Sequence, residues 1–138
     1  MKCLFLLSLV CISTVLTGTS CSKDNHPKPV TPTVERTVQF VLFTDKDFST
    51  DHKQITFKLS IQNPAANTTL WDSTLAPMAI SDIPDIAHKL VVEKLVPNND
   101  PSLLKVGFYY TIENVGNSWH LDSLSVGQTF KIVDFNFQ

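Results

Sequence analysis

Apolar and polar residues alternate along most of the chain beyond Val34. Gln54–Gln62 is the clearest case: Ile55, Phe57, Leu59 and Ile61 fall on one face, and Gln54, Thr56, Lys58, Ser60 and Gln62 on the other. A period of two is the mark of a strand with one buried face. Leu104–Glu113 repeats it, with Leu104, Val106, Phe108, Tyr110 and Ile112 set against Lys105, Gly107, Tyr109, Thr111 and Glu113. This is the best candidate for a central strand. Thr37–Phe43 is instead a run of β-branched and aromatic residues, which predicts a strand buried on both faces. Ser118–Leu124 divides Trp119 and Leu121 from Ser118, His120 and Asp122. In Thr129–Phe137, Phe130 and Ile132 lie on one face, and Val133, Phe135 and Phe137 on the other. That change of face predicts a β-bulge or burial on both sides.

Turn residues separate these runs. Asp45–Lys53 reads as a polar turn, Asn63-Pro64 ends a strand, and Asn114–Asn117 and Gly127-Gln128 turn the chain again. Thr69–Ile80 reads as an edge strand broken by Pro77. Pro97-Asn98-Asn99-Asp100-Pro101 sits between Lys89–Val96 and Leu104–Glu113, which predicts an antiparallel hairpin between those two segments. About seven short strands at regular spacing indicate an all-β fold, an immunoglobulin-like antiparallel β-sandwich. One stretch supports an alternative: Ile83, Ile86, Ala87, Leu90, Val91 and Leu95 also fit helical spacing, with Ser81 or Asp82 as cap and Pro84 in the first turn. A helix around Asp82–Leu95 would make the fold α+β. The favoured reading is a turn or short helix at Asp82–Ala87 followed by a strand.

The amino-terminal stretch follows different rules. Lys2 precedes an apolar run over Cys3–Val15, and Leu16-Thr17-Gly18-Thr19-Ser20-Cys21 ends it in small residues. This is the pattern of a secretory signal, with an apolar run shorter than the ~20 residues a membrane-spanning helix needs. Gly18-Thr19-Ser20-Cys21 resembles the lipobox of bacterial lipoproteins, although Leu is commonest where Gly18 stands. Ser22-Lys23-Asp24 resembles the polar, acidic run behind the lipid cysteine in Bacteroidota surface lipoproteins. The resemblance covers this short stretch only. It implies cleavage before Cys21, a thioether-linked diacylglyceryl group on that cysteine and N-acylation, palmitate being a typical chain. Two or more acyl chains, at about 0.8 kcal/mol per buried CH₂, make a stable anchor. Ser22 after the cysteine implies the outer membrane, facing the periplasm or the cell surface. An ordinary signal peptide cut after Ser20 would instead release a secreted, soluble protein.

Ser22–Thr33 carries Pro27, Pro29 and Pro32 and has no apolar period. Such a segment reads as an extended tether. The expected organisation is a signal peptide at 1–20, a lipidated cysteine and proline-rich tether at 21–33, and a β-sandwich at 34–138. The three cysteines are Cys3, Cys11 and Cys21. The folded part therefore has no disulfide and no cysteine metal site. The formal net charge is −2, with no basic cluster, which argues against a nucleic-acid partner.

The chemistry-bearing residues are few. Asp45, Asp47 and Asp51 share one loop, and carboxylates at alternate positions suit Ca²⁺, a cation that takes many oxygen ligands. The EF-hand pattern fails, because Thr50 and Thr56 occupy the positions of its glycine and its bidentate glutamate. A solvated turn is the simpler account. Ser118, His120 and Asp122 are the residue types of a hydrolytic triad. At about 7 Å spacing along one strand they cannot form a nucleophile–base–orienter chain by themselves, and a polar outer face explains them. His26, His52, His88 and His120 are scattered without zinc-ligand spacing. Trp71, Tyr109 and Trp119 are the aromatic residues of interest, with Tyr109 on the outer face of its strand. Exposed, they would stack on sugars or anchor a protein partner. The tryptophans would otherwise fill the core.

The expected role is a non-catalytic binding or structural module held at the cell envelope by a lipid, with an envelope protein or a glycan as partner. One alternative is a glycan-binding accessory domain of a surface uptake system. Another is an envelope hydrolase, which would need a pocket where His120 meets a nucleophile and an oxyanion donor.

Overall fold

A computed structural model describes residues 34–138. Cys21, the signal segment and the tether lie outside the described residues. The described residues form eight strands: β1 (Thr37–Thr44), β2 (Gln54–Asn63), β3 (Thr68–Thr74), β4 (Met78–Ala79), β5 (Leu90–Leu95), β6 (Leu104–Ile112), β7 (Gly116–Leu124) and β8 (Phe130–Phe137). The only helical pieces among the described residues are a single 3₁₀ turn at Ile80–Asp82 and a distorted one at Pro97–Asn99 with non-helical backbone at Asn98. The fold is all-β, as the alternation predicted.

The strands make two sheets. One has the order β5-β1-β8; the other has the order β3-β2-β6-β7, with β4 also paired to β2. The alternating apolar residues meet between them. Val38, Phe40, Leu42, Val133, Phe135 and Phe137 face Ile55, Phe57, Leu59, Ile61, Leu104, Val106 and Phe108, all buried. Phe108 contacts Phe40 edge-on at 5.7 Å between ring centroids, and Phe57 at 6.4 Å. Edge-on and offset ring pairs are the favoured aromatic geometries. Ile80, Ile83 and Val96 join this core from the connecting segments.

Several expectations need correction. Lys89–Val96 and Leu104–Glu113 do not pair as a hairpin. β5 pairs with β1, and β6 with β2 and β7, so the Pro97–Pro101 turn passes from one sheet to the other. The physical reason lies partly in the turn itself and partly in a residue distant in sequence. Pro97 and Pro101 offer no N–H, Asn98 and Asn99 both take positive φ (55° and 49°), and Arg36 captures the turn's carbonyls. The sandwich is also not wholly antiparallel, because β1 and β8 run parallel from Thr37↔Phe130 to Thr44↔Phe137.

The helix around Asp82–Leu95 is absent. A turn follows the 3₁₀ piece, Thr44 N–H donates to the Pro84 carbonyl at 2.8 Å, and β5 begins at Leu90. Exposure along β5 alternates residue by residue, so period two prevails over helical spacing. Neither the bulge nor the burial on both sides expected of the last strand is seen. The β1–β8 register is continuous, and Phe130 and Ile132 are simply left half-exposed on the outer side of the smaller sheet. A register shift occurs instead at Ile61/Gln62, between β2 and β3. The broken edge strand is observed: β3 and β4 both pair with β2, on either side of Leu75–Pro77.

Candidate functional site

The outward face of the larger sheet carries the most distinctive surface. In register across four strands stand Thr74, Lys58, Tyr109 and Trp119. The next row holds Thr56, Thr111 and Asn117. Trp119 is 65% exposed. These residues, with Gln62, line a shallow groove of about 570 Å³.

Hydrogen bonds fix the floor and rim of the groove. The Tyr109 hydroxyl donates to Gln62 Oε1 at 3.2 Å, and Gln62 Nε2 donates to the buried Ser60 Oγ at 3.1 Å. Thr111 Oγ1 donates to Asn117 Oδ1 at 2.7 Å, which leaves the Asn117 amide nitrogen free of that bond. Lys58 Nζ pairs with Asp72 Oδ2 at 2.5 Å, and both side chains are more than 40% exposed. Beside the groove, β6 and β7 approach closely at Gly107. A Cβ there would overlap the His120 carbonyl oxygen and lie 2.9 Å from Leu121 Cα.

The three aromatic residues do not form one row. Tyr109 and Trp119 are cross-strand partners on the outer face. Trp71, opposite Ile61, packs against the core at the sheet margin, 5.9 Å from Phe40, and Lys94 Nζ sits 5.3 Å above its ring. Trp71 thus takes the core-side role, and Trp119 does not.

Ser118, His120 and Asp122 lie on the inward side of β7, opposite Tyr110, Phe108 and Val106. They do not form a polar outer face. β7 lies at the margin of the larger sheet, where the narrower three-stranded sheet gives only partial cover. The His120 ring lies flat on Phe135, with centroids 4.6 Å apart and planes within 8°. The Asp122 carboxylate pairs with Lys131 and accepts the Ser123 N–H. The Lys131 hydrogen bond foremost, and then that N–H, lower the Asp122 pKa. His120 is occupied by a ring and Asp122 by an ammonium, so the three side chains are not joined in a relay.

The loop carboxylates act separately. Asp47 Oδ1 accepts the Ser49 N–H at 3.0 Å, and Asp51 Oδ1 accepts the Lys53 N–H at 3.1 Å; these bonds lower both pKa values. Asp45 is tied through its own N–H to Asn136 Oδ1. No group of three or more His, Cys, Asp or Glu side chains among the described residues is placed to hold a metal ion.

A second polar centre leaves almost no trace in the residue pattern. Arg36, the single arginine of the chain, is 4% exposed. Nε donates to the Gln128 carbonyl at 3.0 Å. Nη1 donates to the carbonyls of Asp100 and Ser102, and Nη2 to those of Leu124 and Ser125. Burial lowers its pKa and the nearby Asp100 charge opposes that shift. A guanidinium remains protonated in proteins, so it serves here as a fixed multiple donor. The only hint in the sequence was a lone arginine just ahead of a strand.

The chain finds no match among family models, curated proteins or solved structures.

Proposed function

We propose that this chain is an envelope-anchored, non-catalytic binding module, held by lipid on Cys21, whose ligand site is the outer groove of the larger sheet. The carrying observation is the Tyr109–Trp119 pair, a ring surface open to solvent beside fixed hydroxyl and amide groups. Exposing a tryptophan on a sheet face forgoes the ~1.5–3 kcal/mol that burying a large apolar side chain gains. Such a ring beside convergent polar groups is a common recognition surface. An immunoglobulin-like topology suits this reading, because paired sheets present a rigid face. The anchor rests on Lys2, the apolar Cys3–Val15 run and the small residues before Cys21.

Two measurements test the two halves. Membrane-fraction protein should carry a lipid mass at Cys21, and Cys21→Ser should release it; unmodified protein in the soluble fraction would remove the anchor. An NMR screen of saccharides, short peptides and lipid headgroups should shift the amides of residues 56–58, 109–111 and 117–119. Binders that leave those amides unmoved would refute the groove as the site.

A further inference from the structure

From the charge balance of the groove we infer that its ligand is a neutral glycan, an inference that rests on the groove being the binding site. Among the residues lining the groove, Lys58 is the sole charged one, and it is already paired with Asp72 on the neighbouring strand. The other polar lining residues are neutral: the hydroxyl-bearing Thr56, Thr74, Tyr109, Tyr110, Thr111 and Ser118 and the amides Gln62 and Asn117. An anionic ligand would have to compete with Asp72 for the ammonium group. A neutral sugar has no such competition. Its hydroxyls can bridge the existing pair, donating to Asp72 and accepting from Lys58.

The apolar side of the groove fits the same ligand. A pyranose ring has a face of C–H groups and an equatorial rim of hydroxyls. Trp119 offers an open ring for that face, and its cross-strand partner Tyr109 is fixed by Gln62, so little ordering entropy remains to be lost there. Asn117, two residues from Trp119 on the same face, lines the groove, and its amide nitrogen takes no part in the Thr111 bond, so it can donate to a rim hydroxyl. The groove is open and shallow, which suits a segment of a longer chain more than a small molecule enclosed on all sides.

The test uses the full chain and titration calorimetry against defined hexasaccharides. The neutral set is a glucan, a mannan and a xylan; the acidic set is oligogalacturonate and a sulfated glycan. At least one neutral hexasaccharide should bind, with an affinity that changes less than twofold between low salt and about 0.5 M salt, since no net charge is neutralised. Trp119→Ala should weaken it about tenfold or more while the circular dichroism spectrum stays unchanged. Asp72→Asn, which frees Lys58, should raise the affinity for oligogalacturonate. Binding confined to acidic glycans or to peptides, but lost in Trp119→Ala, would overturn the ligand class and leave the groove as the site. Neutral-glycan binding unaffected by Trp119→Ala would overturn both. No binding to any neutral glycan would overturn this inference alone.

Discussion

Arg36 Nη1 donates to the Ser102 carbonyl oxygen at 2.9 Å, across 66 residues of chain. With its other bonds this guanidinium ties the start of β1 to the sheet-crossing turn after β5 and to the turn between β7 and β8. An orphaned buried carbonyl costs about 1–3 kcal/mol, and several lose their donor together here. Arg36→Met should therefore destabilise the protein by at least about 3 kcal/mol, with partial relief from water. Arg36→Lys should recover little, because an ammonium cannot reproduce the planar fork. Urea unfolding of both variants checks this.

Asp100 lies within that turn and sets a pH dependence. Its carboxylate accepts from the Ser102 hydroxyl at 2.6 Å and from the Ser102 N–H at 2.9 Å; Asn63 Nδ2 donates to its other oxygen at 3.0 Å. The Ser102 hydroxyl foremost, then the Ser102 N–H, lower its folded pKa. A depressed carboxyl pKa stabilises the folded state above the unfolded value, and that contribution disappears as pH falls toward the folded value. The urea midpoint should hold between about pH 7 and 5 and decline below about pH 4. Asp100→Asn should make the decline shallower. Equal slopes in the two proteins would show that Asp100 is not responsible.

Gly107 marks where β6 and β7 come closest. The obstacle to a side chain there is backbone, the His120 carbonyl and Leu121 Cα, which cannot rotate away. Gly107→Ala should cost about 1–3 kcal/mol, the usual penalty of overpacking. Gly116→Ala is the contrast for space alone, since nothing lies within 4 Å of its built Cβ. Its φ of 132° still strains a side chain, so any loss there comes from the backbone conformation. Thermal unfolding separates the two if Leu121→Ala, which removes the contact with Leu121 Cδ2 but not the backbone clash, fails to rescue Gly107→Ala.

His120 tests the role of the inward side of β7. If its ring serves by stacking on Phe135, His120→Phe should retain stability, and His120→Ala should lose about 0.5–1.5 kcal/mol together with the buried area. Retained ligand binding in both variants would fit a packing role. A hydrolytic activity abolished by both would contradict it.

The strands were legible because the large apolar core residues of β2 (Ile55, Phe57, Leu59, Ile61) and of β6 (Leu104, Val106, Phe108) recur at every second position, and period two has no other simple cause. What alternation does not specify is which face is covered. In β7 hydropathy alone favours Trp119 and Leu121 inside. Their register on Tyr109 and Gly107 puts them outside, and that register depends on partners far away in sequence. The same limit applies to pairing. Pro97–Pro101 has the composition of a hairpin turn, but its course depends on Arg36, more than 60 residues earlier. The groove was only partly visible: Tyr109 could be placed on an outer face, while its alignment with Lys58 and Trp119 exists only in the assembled sheet.

β1 is flanked by β5 over Thr37–Leu42 and by β8 over Thr37–Thr44, and its parallel partner is the last strand of the described residues. A pull along the axis of β1 from its leading end loads both ladders in shear, so many hydrogen bonds must yield at once instead of peeling open in succession. With the groove on the opposite sheet, tension arriving at Thr37 would meet this strongly braced strand first and reach the Tyr109–Trp119 surface only after it gave way.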